Sequence, residues 1–281
     1  MLMANIRIIT DSTADLPVQF IEEYDIHVVP LKVIFKEKMY REGEDITTDE
    51  FYKKLKKADQ LPSTSQPSPG EFQEVYEKYT ANGASVISIH ISAEMSGTYQ
   101  SALMARKNLS GRDIRVIDSK NVTCALGLIV IAAAKAAKEG KNPEEIEKIA
   151  LDIAEKIKVY FIVDTLENLH KGGRIGRATA LLGTVLKIKP VLTINNGIVA
   201  PFEKIRGKGK AINKIISILK DHSRKEKINY CVFMHAHCLK DALILKDKIR
   251  KEIGDHEGFI GEIGAVVGTH AGIGTFGIIY Y

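Results

Sequence analysis

Six short segments of this 281-residue chain carry side chains that could do chemistry. Pro62-Ser63-Thr64-Ser65-Gln66-Pro67-Ser68 places four hydroxyls on a stretch stiffened by proline. Such a cluster can meet a carboxylate or phosphate with donors and no charge; a polar surface loop is the plainer alternative. Ser92-Ala93-Glu94-Met95-Ser96-Gly97-Thr98-Tyr99 runs from a strand end into a helix start. Ligands of open α/β sheets sit at the carboxyl ends of strands, where a helix N-terminus offers free N–H groups to an anion. Ser96 is therefore either a helix N-cap or an anion ligand. The segment lacks G-x-S-x-G, the turn that exposes a nucleophilic serine.

Leu169-His170-Lys171-Gly172-Gly173-Arg174-Ile175 sets paired glycines before an expected helix, so backbone can approach a partner closely while Arg174 adds a forked donor. Lys204 and Arg206-Gly207-Lys208-Gly209-Lys210 gather four positive charges at another helix start. Neither matches the phosphate-binding G-x-x-x-x-G-K-[ST]. Gly268-Thr269-His270-Ala271-Gly272-Ile273-Gly274-Thr275 reads as a glycine-rich break before the last strand. Its histidine can donate to a carboxylate or act as acid or base, or it is a structural residue. In His235-Ala236-His237-Cys238 the two imidazoles share one face if the chain is extended, but no third ligand stands at a motif spacing. No metal is expected.

Charge sharpens the picture. Thr165 to Lys227 holds fourteen Lys/Arg against four Asp/Glu, whereas the whole chain nets only +5. An anionic ligand or partner near that stretch follows, unless it is a solvated helix face. Few aromatics accompany the charge and no recognition motif is present, which argues against nucleic acid. With 45% apolar and 27% charged residues, disorder, collagen and coiled coil are excluded. The longest apolar run, Cys124 to Ala134, is too short to span a bilayer, and Arg7 and Asp11 break the N-terminal stretch before it resembles a signal peptide. Three scattered cysteines suit a reducing compartment, so a cytoplasmic location is expected.

The elements that must position these segments alternate. Ile6–Thr10 reads as a buried strand followed by a capping turn, His27–Phe35 as strand-like with Pro30 marking an edge position or a break, and Asp49–Lys57 as a helix capped by Thr47 or Thr48. Helix 71–79, strand 85–91, helix 97–109 and strand 114–117 follow, then a buried helix from Asn121 to Ala134 and an amphipathic one opened by Asn142-Pro143. A second region begins near Val159. It contains an Asn196-Gly197 hairpin, strand 230–234, helix 239–253 and two final glycine-broken strands. The expectation is α/β: a mostly parallel N-terminal domain over 1–160 and a mixed α+β domain over 161–281.

Taken together, Thr10-Asp11-Ser12, Pro62–Ser68, Met95–Ser101, Asp118-Ser119, Lys171–Ile175, Lys187–Leu192 and Gly268–Gly274 resemble, in order, the DegV family of bacterial fatty-acid-binding proteins. The likeness runs from about residue 6 to 280, with Ala93 and Ile273 departing from the serine and proline common there. It implies a long-chain fatty acid buried between two domains, no cofactor, and service as the binding subunit of a fatty acid kinase. That partner would phosphorylate the carboxylate to acyl phosphate for phospholipid synthesis, so this chain is expected not to be an enzyme itself. The resemblance assigns Thr64, Ser65, Ser96, Gly97 and His270 to the carboxylate, and Arg174 and Arg206 to the phosphate and partner, with transient membrane contact but no transmembrane segment. A sixteen-carbon acid would bury about fourteen methylenes at roughly 0.8 kcal/mol each, so affinity would reside in the acyl chain. Two alternatives stand beside it: an acyl hydrolase or transferase using Ser96 and His270, and a lipid-responsive regulator. Chain-length preference and oligomeric state are not legible.

Overall fold

The computed structural model describes residues 6–182 and 189–281. It divides into two compact units, Met1–Thr47 with Thr64–Lys156, and Thr48–Ser63 with Ile157–Tyr281. In chain order the elements begin β1 (Ile6–Asp11), α1 (Val18–Glu23), β2 (His27–Val29), β3 (Lys32–Phe35), β4 (Lys38–Arg41), α2 (Thr48–Leu55) and β5 (Ser63–Ser65). There follow α3 (Pro69–Thr80), β6 (Ser85–His90), α4 (Thr98–Asn108), β7 (Ile114–Asp118), α5 (Cys124–Lys138) and α6 (Pro143–Lys156). The remainder is β8 (Lys158–Ile162), α7 (Glu167–Lys171), β9 (Val191–Asn195), β10 (Ile198–Glu203), α8 (Lys208–Ser223), β11 (Cys231–His235), α9 (Leu239–Ile253), β12 (Gly258–Glu262), α10 (Ala265–Ala271) and β13 (Phe276–Tyr280).

The first unit is built on a parallel sheet of order β2-β1-β6-β7. Ile9, Val86 and Val116 present apolar side chains to Phe72 and Tyr76 of α3 and to Ala102 and Ala105 of α4. The small residues on α4 let it lie close to the strands. α5, apolar on nearly all sides, is buried between sheet and α6, as its composition requires. Asn142 and Glu145 exchange hydrogen bonds at 2.9 Å and so cap α6 reciprocally. β3 and β4 form a hairpin with β5 at its edge, where the surrounding prolines can be tolerated.

The second unit carries a six-stranded mixed sheet of order β10-β9-β8-β13-β11-β12, in which only β11 and β12 run parallel. Ile212, Ile215 and Leu219 of α8 meet Ala242, Leu245 and Ile249 of α9 in the core with Phe233 and Ile278. Asn196 and Gly197 both adopt positive φ, +50° and +79°, as the β9–β10 turn demands. The fold is thus α/β, with a parallel N-terminal sheet and a mixed C-terminal one.

Several local expectations need correction. The buried helix starts at Cys124, not Asn121, because Asn121 and Ser119 satisfy one another in a preceding turn. Glycines 172 and 173 close α7 instead of opening an α-helix. The Gly268–Thr275 stretch, read as a glycine-rich break before the last strand, begins inside the seven-residue α10; Gly268 sits there because Tyr52 leaves no room for a side chain. The Lys187–Leu192 motif begins outside the described residues.

Candidate functional site

The order β2-β1-β6-β7 places a topological switch between β1 and β6, since successive connections leave β1 in opposite directions. At their carboxyl ends lies a fully buried polar chain. Asp11 Oδ2 accepts from Ile91 N and meets His90 Nδ1, each at 3.0 Å, while Asp11 Oδ1 accepts from Thr13 N at 3.1 Å and from the Thr13 hydroxyl. His90 Nε2 lies 2.7 Å from Ser88 Oγ, which accepts from Tyr76 OH at 2.8 Å. Burial pushes the Tyr76 phenol far above its ordinary pKa. The Asp–His–Ser order resembles a catalytic relay, but all three residues are fully buried, so no substrate reaches Ser88. Its role is to knit β1 to β6 and aim the chain leaving β6. Ser88 and His90 lie two apart on one strand, and that alternation was the available sequence signal.

The chain leaving β6 turns through Ser92, whose carbonyl accepts from Met95 N at 3.0 Å and Ser96 N at 3.1 Å. Ser96 is half-buried and is not the N-cap: α4 begins at Thr98, with Gly97 in the cap position. Ser96 Oγ instead accepts from Thr98 N at 3.3 Å and shares a 2.9 Å hydrogen bond with Thr98 Oγ1. A Cβ on Gly97 would strike the Gln66 carboxamide, whose Nε2 donates to Ser101 Oγ at 3.1 Å. Gln66 thereby fastens the hydroxyl segment to the Ser96 turn, and half-buried Thr64 and Ser65 lie immediately before it on β5. Thr64, Ser65, Ser96 and Gly97 are thus gathered in one neighbourhood of the first unit. Gln66 and Thr98, which hold that neighbourhood together, were not singled out from sequence; polar residues of this kind give no periodic signal.

In the second unit His270 occupies the last turn of α10. Its ring lies against the Gly172 backbone so closely that a Cβ there would collide with Nδ1. What lies against the Gly172 backbone is thus the His270 ring of the same chain. Arg174 Nη1 donates to Gly172 O at 2.7 Å, and Asn168 Nδ2 to Thr269 O at 3.2 Å, tying α7 to α10. Burial, then the Arg174 charge, lowers the His270 pKa from 6.5 to about 4, so the imidazole is neutral near pH 7. Arg174 and Arg206 are exposed, the latter just before α8.

His235 and His237 do not share a face. β11 ends at His235, and His237, at φ +52°, turns to stack on Tyr52 of α2 with ring centroids 5.3 Å apart. Tyr52 OH donates to Ile263 O at 2.8 Å, so the pair anchors α2 beside β12. Among the described residues, no group of three or more His, Cys, Asp or Glu could hold a metal ion, and no helix is long and apolar enough to cross a membrane.

A parallel sheet in one unit and a mixed sheet in the other define a two-unit α/β protein. The chain belongs to the DegV family: the model of that family, described as "Uncharacterised protein, DegV family", matches residues 5–281. A DegV domain-containing protein of Clostridium perfringens is 38% identical over 279 residues, covering 98% of each chain. A DegV family protein from Thermus thermophilus, whose structure is described as showing fatty acid binding, superposes with a TM-score of 0.93 at 35% identity, covering 99% of both chains. DegV of Bacillus subtilis, described as a fatty acid binding protein, gives a TM-score of 0.91 at 37% identity, again over 99% of both.

Proposed function

We propose that this protein binds a long-chain fatty acid and presents its carboxylate to a partner kinase for phosphorylation to an acyl phosphate. Thr64, Ser65, Ser96, the Gly97 backbone and His270 are assigned to the carboxylate, Arg174 and Arg206 to the incoming phosphate and the docked kinase. The observation that carries the reading is His270: a half-buried, neutral imidazole pinned on glycine is a donor without a charge. Hydroxyls and a neutral imidazole hold a carboxylate without an ion pair, which leaves an oxygen reactive towards phosphoryl transfer. The whole-length likeness to two fatty-acid-binding DegV structures supports the choice of ligand. A hydrolase built on Ser96 and His270 fits less well, because a base whose pKa is near 4 draws a serine proton poorly at neutral pH. Free Cys124, Cys231 and Cys238 accord with a cytoplasmic setting.

The test is intact mass under native conditions, then organic extraction and lipid mass spectrometry of the purified protein. A stoichiometric fatty acid is expected. An empty protein that also refuses added hexadecanoate and octadecenoate overturns the reading. Release of acyl phosphate from the loaded protein, with ATP and a kinase captured on it, tests the second half.

A further inference from the structure

We infer that Thr98 is a positioning residue that makes Ser96 a dedicated proton donor and so selects a carboxylate over an alcohol headgroup. The ligand in this inference rests on the fatty-acid reading; the geometry does not. Thr98 is fully buried, and among the described residues the one hydrogen bond of its hydroxyl is with Ser96 Oγ at 2.9 Å. A buried hydroxyl proton needs an acceptor, so Thr98 Oγ1 donates and Ser96 Oγ accepts. Ser96 Oγ also accepts from Thr98 N at 3.3 Å. A serine oxygen has two acceptor positions and one proton. With both positions turned towards Thr98, the Ser96 proton is left to point away, and Ser96 is only half-buried, so a ligand can receive it.

A carboxylate accepts and never donates, which matches this hydroxyl. A primary alcohol can donate or accept, and gains little from a hydroxyl whose proton is already aimed. The side chain at 98 therefore bears on headgroup selection without touching the ligand.

The experiment has two arms. Affinities for hexadecanoate and hexadecan-1-ol are measured for the unaltered protein, Thr98→Val and Thr98→Ser. Thr98→Val keeps the shape and removes the hydroxyl; hexadecanoate affinity should fall roughly three- to tenfold, the worth of one oriented hydrogen bond. Hexadecan-1-ol affinity should stay within about twofold, and Thr98→Ser should restore the acid. Equal losses for both lipids, or none for the acid, overturn the inference. In the second arm, neutron diffraction of deuterium-exchanged, lipid-free crystals locates the protons. Deuterium on Thr98 Oγ1 directed at Ser96 supports it, and deuterium on Ser96 Oγ directed at Thr98 overturns it. If the unaltered protein takes up neither lipid, the fatty-acid reading fails and the neutron map alone decides the role of Thr98.

Discussion

Glycine meets a polar side chain at close range in both units, and the two contacts differ in what they can tolerate. In the first unit Gly97 faces the end of Gln66, a long side chain exposed to solvent and fastened only to Ser101. In the second, Gly172 faces the imidazole of His270 on α10, while Arg174 donates to the Gly172 carbonyl and Asn168 to that of Thr269. The first contact can yield by rotation of an exposed side chain; at the second, a new Cβ meets the Asn168 carbonyl at 3.0 Å as well as the ring, and backbone does not swing aside. The hydroxyl neighbourhood is therefore adjustable and the imidazole neighbourhood rigid. This division suits hydroxyls, which rotate to meet a ligand, and a ring that must be pre-aimed.

The sharpest way to break this comparison is Gly172→Ala. The new Cβ must displace His270, a form of overpacking expected to cost on the order of 3 kcal/mol in stability. Fatty acid affinity should fall more than tenfold. Chemical denaturation and lipid titration read the two effects, and an unshifted midpoint with normal affinity would show that the imidazole site gives way as readily as the other.

Next in size is the pH dependence of stability. The folded-state pKa of His270, about 4, lies below its ordinary 6.5, so the unfolded chain takes up the proton more readily. The resulting stabilisation is complete above about pH 6.5 and drains as pH falls towards 4. Its upper bound is about 3 kcal/mol, reduced by solvent screening because the residue is only half-buried. His27 and His235, both also lowered by burial, slope the same way, so the informative quantity is the difference from His270→Gln. That variant should show a shallower loss of unfolding free energy between these pH values; parallel curves would mean that the imidazole is not desolvated.

Smaller effects are expected among the hydroxyls. Ser96→Ala or Thr64→Ala should weaken lipid binding by about 1 kcal/mol, because a single neutral hydrogen bond is worth little when the acyl chain supplies the affinity. Phosphorylation should suffer more, since it needs the carboxylate oriented as well as bound. Equal losses in the binding and kinase assays would contradict that division. Least of all, Gly97→Ala should cost under about 1 kcal/mol, because Gln66 can swing aside. Adding Gln66→Ala should relieve even that; a thermal midpoint that drops sharply and is not recovered would make the two glycine contacts alike.

Much of this molecule was open to inference from residue order. The Asn196-Gly197 turn, the reciprocal cap at Asn142 and the break at Pro30 are local, and each appears where backbone chemistry requires it. Departures occur where distant contacts prevail. Gly268 argues locally against a helix, yet α10 runs through it; Tyr52 OH and the Phe51 ring occupy the space a side chain there would need, which is why the position is glycine. His237 leaves the extended conformation to stack on Tyr52, which removes the face it was expected to share with His235. The placement of Thr48–Ser63 with the second unit has the same character, since nothing in that stretch names its partner.

For this protein, then, the sequence alone determined which residues carry hydrogen-bonding chemistry, several of its turns, and that a mostly parallel N-terminal sheet precedes a mixed α+β region. Propensity, turn geometry and hydrophobic period are short-range effects written in adjacent residues. Only the tertiary structure decided that Asp11, His90 and Ser88 form a buried brace, that Thr98 stands behind Ser96, and that His270 rests on Gly172 with its pKa lowered to about 4. Those outcomes depend on desolvation and on which surfaces exclude water from one another. Two of them join residues 79 and 98 positions apart, Asp11 with His90 and Gly172 with His270, and neighbours along the chain do not encode those contacts.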